Sequence, residues 1–260
     1  MRKKDGIIDL WKYKDLLWLL VAKDVKVKYK RSIMGVLWSL LNPLLTMLIL
    51  TIVFKELFRF NIENFAAYVI SGQVIFTFFS EATSLAMTSI YTSGQIMKKV
   101  YVPKAIFPIS KILYSMVNTL FSIIAVLIVC LLTGVPITSA FFGSILTIAY
   151  VMIFSLGVGL ILCSIAVFLR DIEHIYGVLL TAWMYATPVI YPAEIMPDRF
   201  LFVLYCNPLY YFVTHFREGL LYQHIPSIEL NLYCLVYSLV TLIVGVYVFN
   251  RQRNRFILYI

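Results

Sequence analysis

The sequence predicts an all-α integral membrane protein. Six transmembrane helices are expected, with an N-terminal amphipathic helix at the membrane interface and two short re-entrant gate helices between the fifth and sixth spans. Three observations predict this. Of the 260 residues, 62% are hydrophobic and 13% charged, against roughly 25% charged in a soluble domain, so the chain lacks the polar surface to face water all round. Charge-free intervals long enough to cross a bilayer recur along it, and about 20 apolar residues suffice for one crossing. The basic residues are also sorted by side. Over six crossings, ten Lys and Arg up to Arg31, then Lys98, Lys99, Lys104, Lys111, Arg170, Arg251, Arg253 and Arg255 share one face; the other carries only Lys55, Arg59, Arg199 and Arg217. Such asymmetry marks the cytoplasmic face and puts both termini there. It also accounts for the net charge of +9 without nucleic acid as a partner.

Residues 1–31 read as a cytoplasmic N-terminus. Lys12 and Lys14 interrupt the apolar run after Met1 to Lys4, whereas a cleaved signal peptide needs about 7–15 apolar residues there. Leu17, Val21, Val25 and Tyr29 recur every fourth residue, with Lys23, Lys26 and Lys30 on another face. This pattern suits a helix in the interface, presenting Lys23, Lys26, Lys28, Lys30 and Arg31 to anionic headgroups. The alternation from Val25 to Lys30 also fits a strand, but a lone strand beside a bilayer leaves its backbone unpaired.

Residues 32–260 form the transmembrane unit. Ser32 to Phe54 is a run of 23 uncharged residues, giving a first span at Met34 to Phe54. The second runs from Phe65 to Ile90, and a loop from Tyr91 to Pro108 follows. Ile112 to Leu169 holds 58 residues without a charge, too long for one crossing; Thr133-Gly134-Val135-Pro136 divides it into spans three and four, since Gly and Pro mark a turn. Arg170, Asp171, Glu173 and His174 form a polar knot. Span five is expected at Ile175 to Ile190 and span six at Leu230 to Asn250.

The segment 191–229 lies on the outer face yet is largely apolar. Pro192, Pro197 and Pro208 cut it into Asp198 to Cys206 and Leu209 to Tyr222, both too short to cross about 30 Å of hydrocarbon. Such pieces are tolerated at depth when buried against protein or lining a cavity. Their rings, Phe200, Tyr205, Tyr210, Tyr211 and Phe216 among them, read either as an interface belt or as an outer gate that stacks on a ligand.

Catalytic and cofactor motifs are missing. No G-x-x-x-x-G-K-[ST], H-E-x-x-H or G-x-S-x-G occurs, and without a C-x-x-C pair the four cysteines indicate neither a disulfide framework nor a metal site. Gly157-x-Gly159 suits close helix packing. Glu81 is the one ionisable residue inside a span, where such groups are functional suspects: it faces a wet path, or it accepts hydrogen bonds from a neighbouring helix. Gln73, Asn42 and Asn118 read as interhelical hydrogen bonds. The inner loop Ser93 to Pro103 mixes apolar and basic residues, as a solvated connection does, and as a docking helix for a cytoplasmic partner must.

Four stretches carry a resemblance: Asp24-Val25-Lys26-Val27-Lys28-Tyr29-Lys30-Arg31-Ser32 running into Gly35-Val36-Leu37-Trp38-Ser39-Leu40-Leu41-Asn42-Pro43; Phe168-Leu169-Arg170-Asp171-Ile172; Thr187-Pro188-Val189-Ile190-Tyr191-Pro192; and Asn207-Pro208-Leu209 with Phe216-Arg217-Glu218. In order and spacing they resemble ABC-2 type permeases of polysaccharide exporters, which serve O-antigen, teichoic acid or capsule. The resemblance implies a homodimer in the bacterial inner membrane, paired with two copies of a separately encoded ATPase subunit. Together these would move a lipid-linked glycan outward among membrane lipids. ATP and Mg would be bound by that partner, with no cofactor in this chain. By the same resemblance, Gln95, Ile96, Met97, Lys98, Lys99 and Tyr101 would form the ATPase-coupling helix, with Arg170 and Asp171 beside it. Phe76, Phe79, Glu81 and Tyr191 would line the substrate path. Competing expectations are an ABC-2 exporter of a drug, peptide or lipid, a membrane-embedded enzyme of glycan assembly using Asp171 and Glu173, and a scaffold subunit.

Overall fold

The computed structural model describes residues 12–30, 34–35, 37–58 (side chains through 54) and 62–259. Arg31 and Arg59 lie outside the described residues. The helices are α1 (Lys14–Tyr29), α2 (Leu37–Phe58), α3 (Phe65–Thr92), α4 (Gly94–Lys99), α5 (Ile106–Thr133), α6 (Ala140–Ala166), α7 (Ile172–Ala186), α8 (Leu201–Tyr205), α9 (Pro208–Leu220), α10 (Ile228–Gln252) and α11 (Phe256–Tyr259). No strand occurs among the described residues, so Val25 to Lys30 resolves as helix.

Among the described residues, five stretches are long and apolar enough to cross a membrane: Leu37–Phe54, Phe65–Lys99, Ile106–Thr133, Ala140–Ala166 and Ile228–Tyr259. The expected fifth span differs. It begins at Ile172 and stops at Ala186, 15 residues in all, or about 22 Å of helix. Thr187 is already extended, at φ −104° and ψ 131°, because the ring of Pro188 excludes the helical conformation from the residue before it. Helix length alone therefore yields five crossings, not six.

The expected turn between spans three and four is a helix stop followed by a restart. Gly134 takes φ +75°, Val135 N–H bonds Cys130 O at 2.9 Å and Gly134 N–H bonds Leu131 O at 3.4 Å. This pair of bonds satisfies the last carbonyls of α5, and the left-handed residue it needs is supplied by glycine.

At the centre stands α3, with α2, α5, α6, α7 and α9 packed around it. Its buried face includes Ala67, Ser71, Gly72, Ala82, Ala86 and Ser89, small residues that let neighbouring backbones approach. One such close approach is between α6 and α10. A Cβ on Gly157 would lie 2.4 Å from the Thr241 carbonyl carbon, and one on Gly245 would lie 2.3 Å from Gly157 O. The packing role read from Gly157 holds; its counterpart Gly245 was not foreseen.

The ends of the bundle are distinct. One gathers α4, the start of α5, the α6–α7 turn and α11, tied by Lys104 Nζ donating to Arg253 O at 2.6 Å and by Phe168 against Tyr259 at 4.8 Å. The basic residues Lys98, Lys99, Arg170, Arg251 and Arg255 fall at this end. The other end holds α8, α9 and the start of α10. The two expected short pieces appear there as a 3-10 turn (Asp198–Phe200) leading into α8, and as α9.

Candidate transport path and coupling face

At the basic end, α4 is a single short helix anchored in part by Met97. Met97 is half-buried against the cluster of Phe107, Phe249 and Phe256. Gln95, Ile96, Lys98 and Lys99 are exposed, and Tyr101 just beyond is 69% exposed. Arg170 and Asp171 are exposed in the α6–α7 turn. The tie between the two features is Tyr91 at the end of α3: its hydroxyl donates to Glu173 Oε2 at 2.7 Å, and the Arg170 guanidinium lies 5.8 Å above its ring. All eight residues of the expected coupling set therefore fall at one end of the bundle, on a surface mixing apolar, aromatic and basic groups.

Halfway along the bundle, α1 meets α5, α2 and α3 in a polar junction. Asp24 pairs with Lys111 at 2.7 Å, and Tyr29 OH donates to Asn118 Oδ1 at 3.2 Å. Moving up α1 thus moves up α5, so α1 travels alongside α5. Asn118 Nδ2 donates in turn to Glu81 Oε1 at 2.9 Å. Tyr29 also shares a hydrogen bond with Ser39 Oγ at 2.5 Å, and Lys28 Nζ stands 4.0 Å from Glu81. The expected headgroup lysines Lys23, Lys26, Lys28 and Lys30 are all exposed, and the ammonium of Lys28 also comes within 4.0 Å of Glu81. Beside this junction opens a cavity of about 710 Å³ that reaches Ser39 and Asn42 on α2, Gln73, Phe76 and Glu81 on α3, and Met184 on α7. The structure brings Phe76 and Glu81 together here. Phe79 lies elsewhere, fully buried between Phe154 (5.4 Å) and Trp183 (5.1 Å). Tyr191 sits near the opposite end, its hydroxyl donating to Tyr185 O at 2.6 Å.

The far end is built on three buried polar side chains. Asn207 caps α9: its Oδ1 accepts from Leu209 N–H at 3.0 Å and Trp183 Nε1–H at 2.7 Å, and its Nδ2 donates to Thr187 Oγ1 at 2.8 Å. Pro208 follows at the first helical position, where its missing N–H costs nothing. His215 lies between Thr147 (2.8 Å) and Asn231 Oδ1 (3.0 Å). Asn231 Nδ2 donates to Pro226 O and Ser227 O, which fixes its Oδ1 as the acceptor. His215 therefore carries its proton on Nε2, and Nδ1 accepts from the Thr147 hydroxyl. Arg217, 4% exposed, is the main fastening. It donates to Pro188 O (2.8 Å), Val189 O (2.8 Å) and Tyr68 O (3.0 Å), and its guanidinium stacks 3.5 Å from the Tyr68 ring. Gly72 makes room, since a Cβ there would sit 2.6 Å from Arg217 Nη2.

The sequence alone does not show this fastening; there Arg217 counts as one of few outer charges and as part of the Phe216-Arg217-Glu218 stretch. The available signal was a lone arginine within an apolar segment, which must find buried acceptors. Of the expected gate rings, Tyr205, Tyr210 and Tyr211 form a contiguous series, with centroids 6.3 and 5.3 Å apart. It continues to Tyr233 at 4.8 Å. Phe200 is exposed, whereas Phe216 is fully buried in the core. Tyr210 and Arg217 border a second cavity, of about 730 Å³, with Glu63, Glu194 and Tyr222.

A helical bundle with membrane-length spans, a polar cavity among them and an exposed basic face at one end defines a polytopic membrane protein. Residues 15–221 match the model of the ABC-2 type transporter family, and the chain belongs to that family. It is similar to the O-antigen export system permease protein RfbA of Klebsiella pneumoniae, with 29% identity over 93% of each chain. RfbA of Myxococcus xanthus is 29% identical, over 95% of this chain and 96% of that one. The capsule polysaccharide export inner-membrane protein CtrC of Neisseria meningitidis serogroup A is 21% identical, over 92% and 91% respectively.

Proposed function

We propose that this chain is the permease subunit of an ATP-binding-cassette exporter that carries a lipid-linked polysaccharide from the cytoplasmic to the outer face of the inner membrane. The observation that carries the reading is the near full-length similarity to permeases named for O-antigen and capsule export. The chain holds no P-loop sequence, so ATP and Mg belong on a separate ATPase subunit, two copies to a permease dimer. That subunit docks on α4 and Tyr101, next to Arg170 and Asp171. Their exposed mixture of apolar and basic side chains suits a partner with a hydrophobic contact and an acidic rim.

In this reading α7 and the extended residues after it make the sixth crossing, so both termini face the cytoplasm. The second permease copy lies against α2 and α7, which flank the inner cavity. ATP favours one arrangement of the ATPase pair, α4 passes that preference to the bundle, and hydrolysis restores the other state. A ligand shifts such an equilibrium only through its different affinity for the two states. The permease performs no covalent step; its residues bind, orient and release the glycan.

Depletion of the chain in cells tests this. Lipid-linked glycan should accumulate on the inner leaflet while surface glycan falls. If both pools fall together, the chain acts in synthesis and the export reading is wrong.

A further inference from the structure

We propose that His215 makes the far end of the bundle acid-sensitive: a proton taken up by its ring loosens α9 from α6 and α10. The proposal concerns how this chain is fastened and stands whether or not the export reading does.

The ring is a joint between three helices. It lies on α9, fully buried, and its two nitrogens serve different neighbours. Nδ1 accepts from the Thr147 hydroxyl of α6, and Nε2–H donates to Asn231 Oδ1 of α10. Asn231 Oδ1 also accepts from Tyr150 OH at 3.2 Å, and the Tyr150 ring meets the imidazole at right angles, 5.7 Å away. Packing here is tight, since a Cβ on Gly219 of α9 would lie 2.5 Å from Ala140 O of α6.

These partners suit the neutral ring. With Nε2–H held by Asn231, Nδ1 must accept, whereas a charged imidazole has a donor at each nitrogen. A second proton would meet the Thr147 hydroxyl proton, and that hydroxyl would have to turn away. The new charge would also sit beside groups that carry none at neutral pH. α6 faces it with Thr147 and Tyr150, and α10 with Asn231 and, a turn later, Cys234. The charged group acting on it is the half-buried Glu218 of α9. Burial outweighs the pull of that carboxylate and holds the ring's pKa below its ordinary value of 6.5.

An opened joint exposes the ring to water, where it takes up a proton near pH 6.5, while the closed joint resists the proton. The strength of the joint is therefore complete above about pH 6.5 and is lost as the pH falls toward the lower value of the closed state. Solvent is one residue away. Asn231 Nδ2 donates to Pro226 O and Ser227 O, and Ser227 is exposed in the loop between α9 and α10.

Hydrogen exchange of the purified permease in lipid, corrected for the intrinsic effect of pH, tests this between about pH 7.5 and about pH 5. In the wild type, exchange along α9 should quicken roughly tenfold for each unit by which the closed ring's pKa lies below 6.5. His215→Asn keeps an acceptor near Nδ1 and His215→Gln a donor near Nε2, and neither titrates, so α9 should then ignore pH over this range. A second measurement needs no change at the joint. With the exposed His174 and His224 both replaced by Gln, nitrogen NMR reads His215 alone. Its ring should carry one proton, on Nε2, at about pH 7.5, and charge over the range in which α9 loosens. Exchange along α9 that ignores pH in the wild type overturns the proposal. So does an equal acceleration in a folded His215 variant, or a ring already charged at about pH 7.5.

Discussion

The two ends of the bundle solve opposite problems. At the far end, Asn207, His215 and Arg217 are buried and joined to neighbouring elements by hydrogen bonds. At the basic end, Gln95, Lys98, Lys99 and Asp171 lie on the surface, and α4 is anchored in part by Met97. A buried polar network fixes one arrangement of the elements it joins, whereas side chains on the surface can be reached by a partner. Under the proposed function, the difference teaches where movement would enter: the basic end would receive another protein, while the far end holds α9 against α3 and the residues after α7.

The strongest way to break this contrast is at Arg217. Arg217→Lys keeps the buried charge but loses the planar fork that reaches three carbonyls, leaving an incompletely paired charge that costs about 3–5 kcal/mol. Thermal unfolding of the purified permease should show a large fall, and Arg217→Met, which removes the charge, a smaller one. A stable lysine variant would mean that the far end is not locked by this residue. Next comes the α6–α10 contact: Gly157→Ala places a methyl against the Thr241 backbone and should cost roughly 1–3 kcal/mol, or separate the helices. Asn118→Leu is expected to be of similar or lesser effect. It removes one hydrogen bond from Tyr29 and one from Glu81 at about 1–3 kcal/mol, leaving Tyr29 its bond to Ser39, and its mark is faster proteolysis within α1, with α9 unaffected. The smallest effect is at Tyr91→Phe, where one partly exposed hydrogen bond to Glu173 is worth roughly 0.5–1.5 kcal/mol. That change should loosen the α6–α7 turn in hydrogen exchange and leave global unfolding almost unmoved.

How much of this could be read from the chain follows from the range of each interaction. The turn at Gly134 was legible because one glycine and the neighbouring proline set it locally. Asn207-Pro208 reads from the sequence as a break and as part of the resemblance, and the same two residues also specify the start of α9. The early end of α7 was legible in principle from Thr187-Pro188, but the charge-free run to Ile190 masked it. The approach of Lys28 to Glu81 is not legible. On α1, Trp18, Leu19 and Val27 are exposed alongside Lys23 and Lys26, so no clean apolar face sorts the lysines, and Glu81, far along the chain, decides. Arg217 with Gly72, and Gly157 with Gly245, are likewise pairs that only the folded bundle brings together. Among the expected site residues, Phe76 and Glu81, about 140° apart around α3, line one cavity because it spreads over a broad arc of that helix, through Gln73, Thr77 and Ser80. Phe79 points instead into the ring cluster of the core.

The most direct test of the contrast is recovery of the ATP-binding subunit with a tagged permease carrying Lys98→Glu and Lys99→Glu. Charge reversal on an exposed helix leaves the fold intact, since surface substitutions usually change stability by only about 0.5 kcal/mol. The account predicts normal permease in the membrane, loss of the ATP-binding subunit from the purified complex, and glycan retained inside the cell. Full recovery of that subunit with both lysines reversed would contradict it.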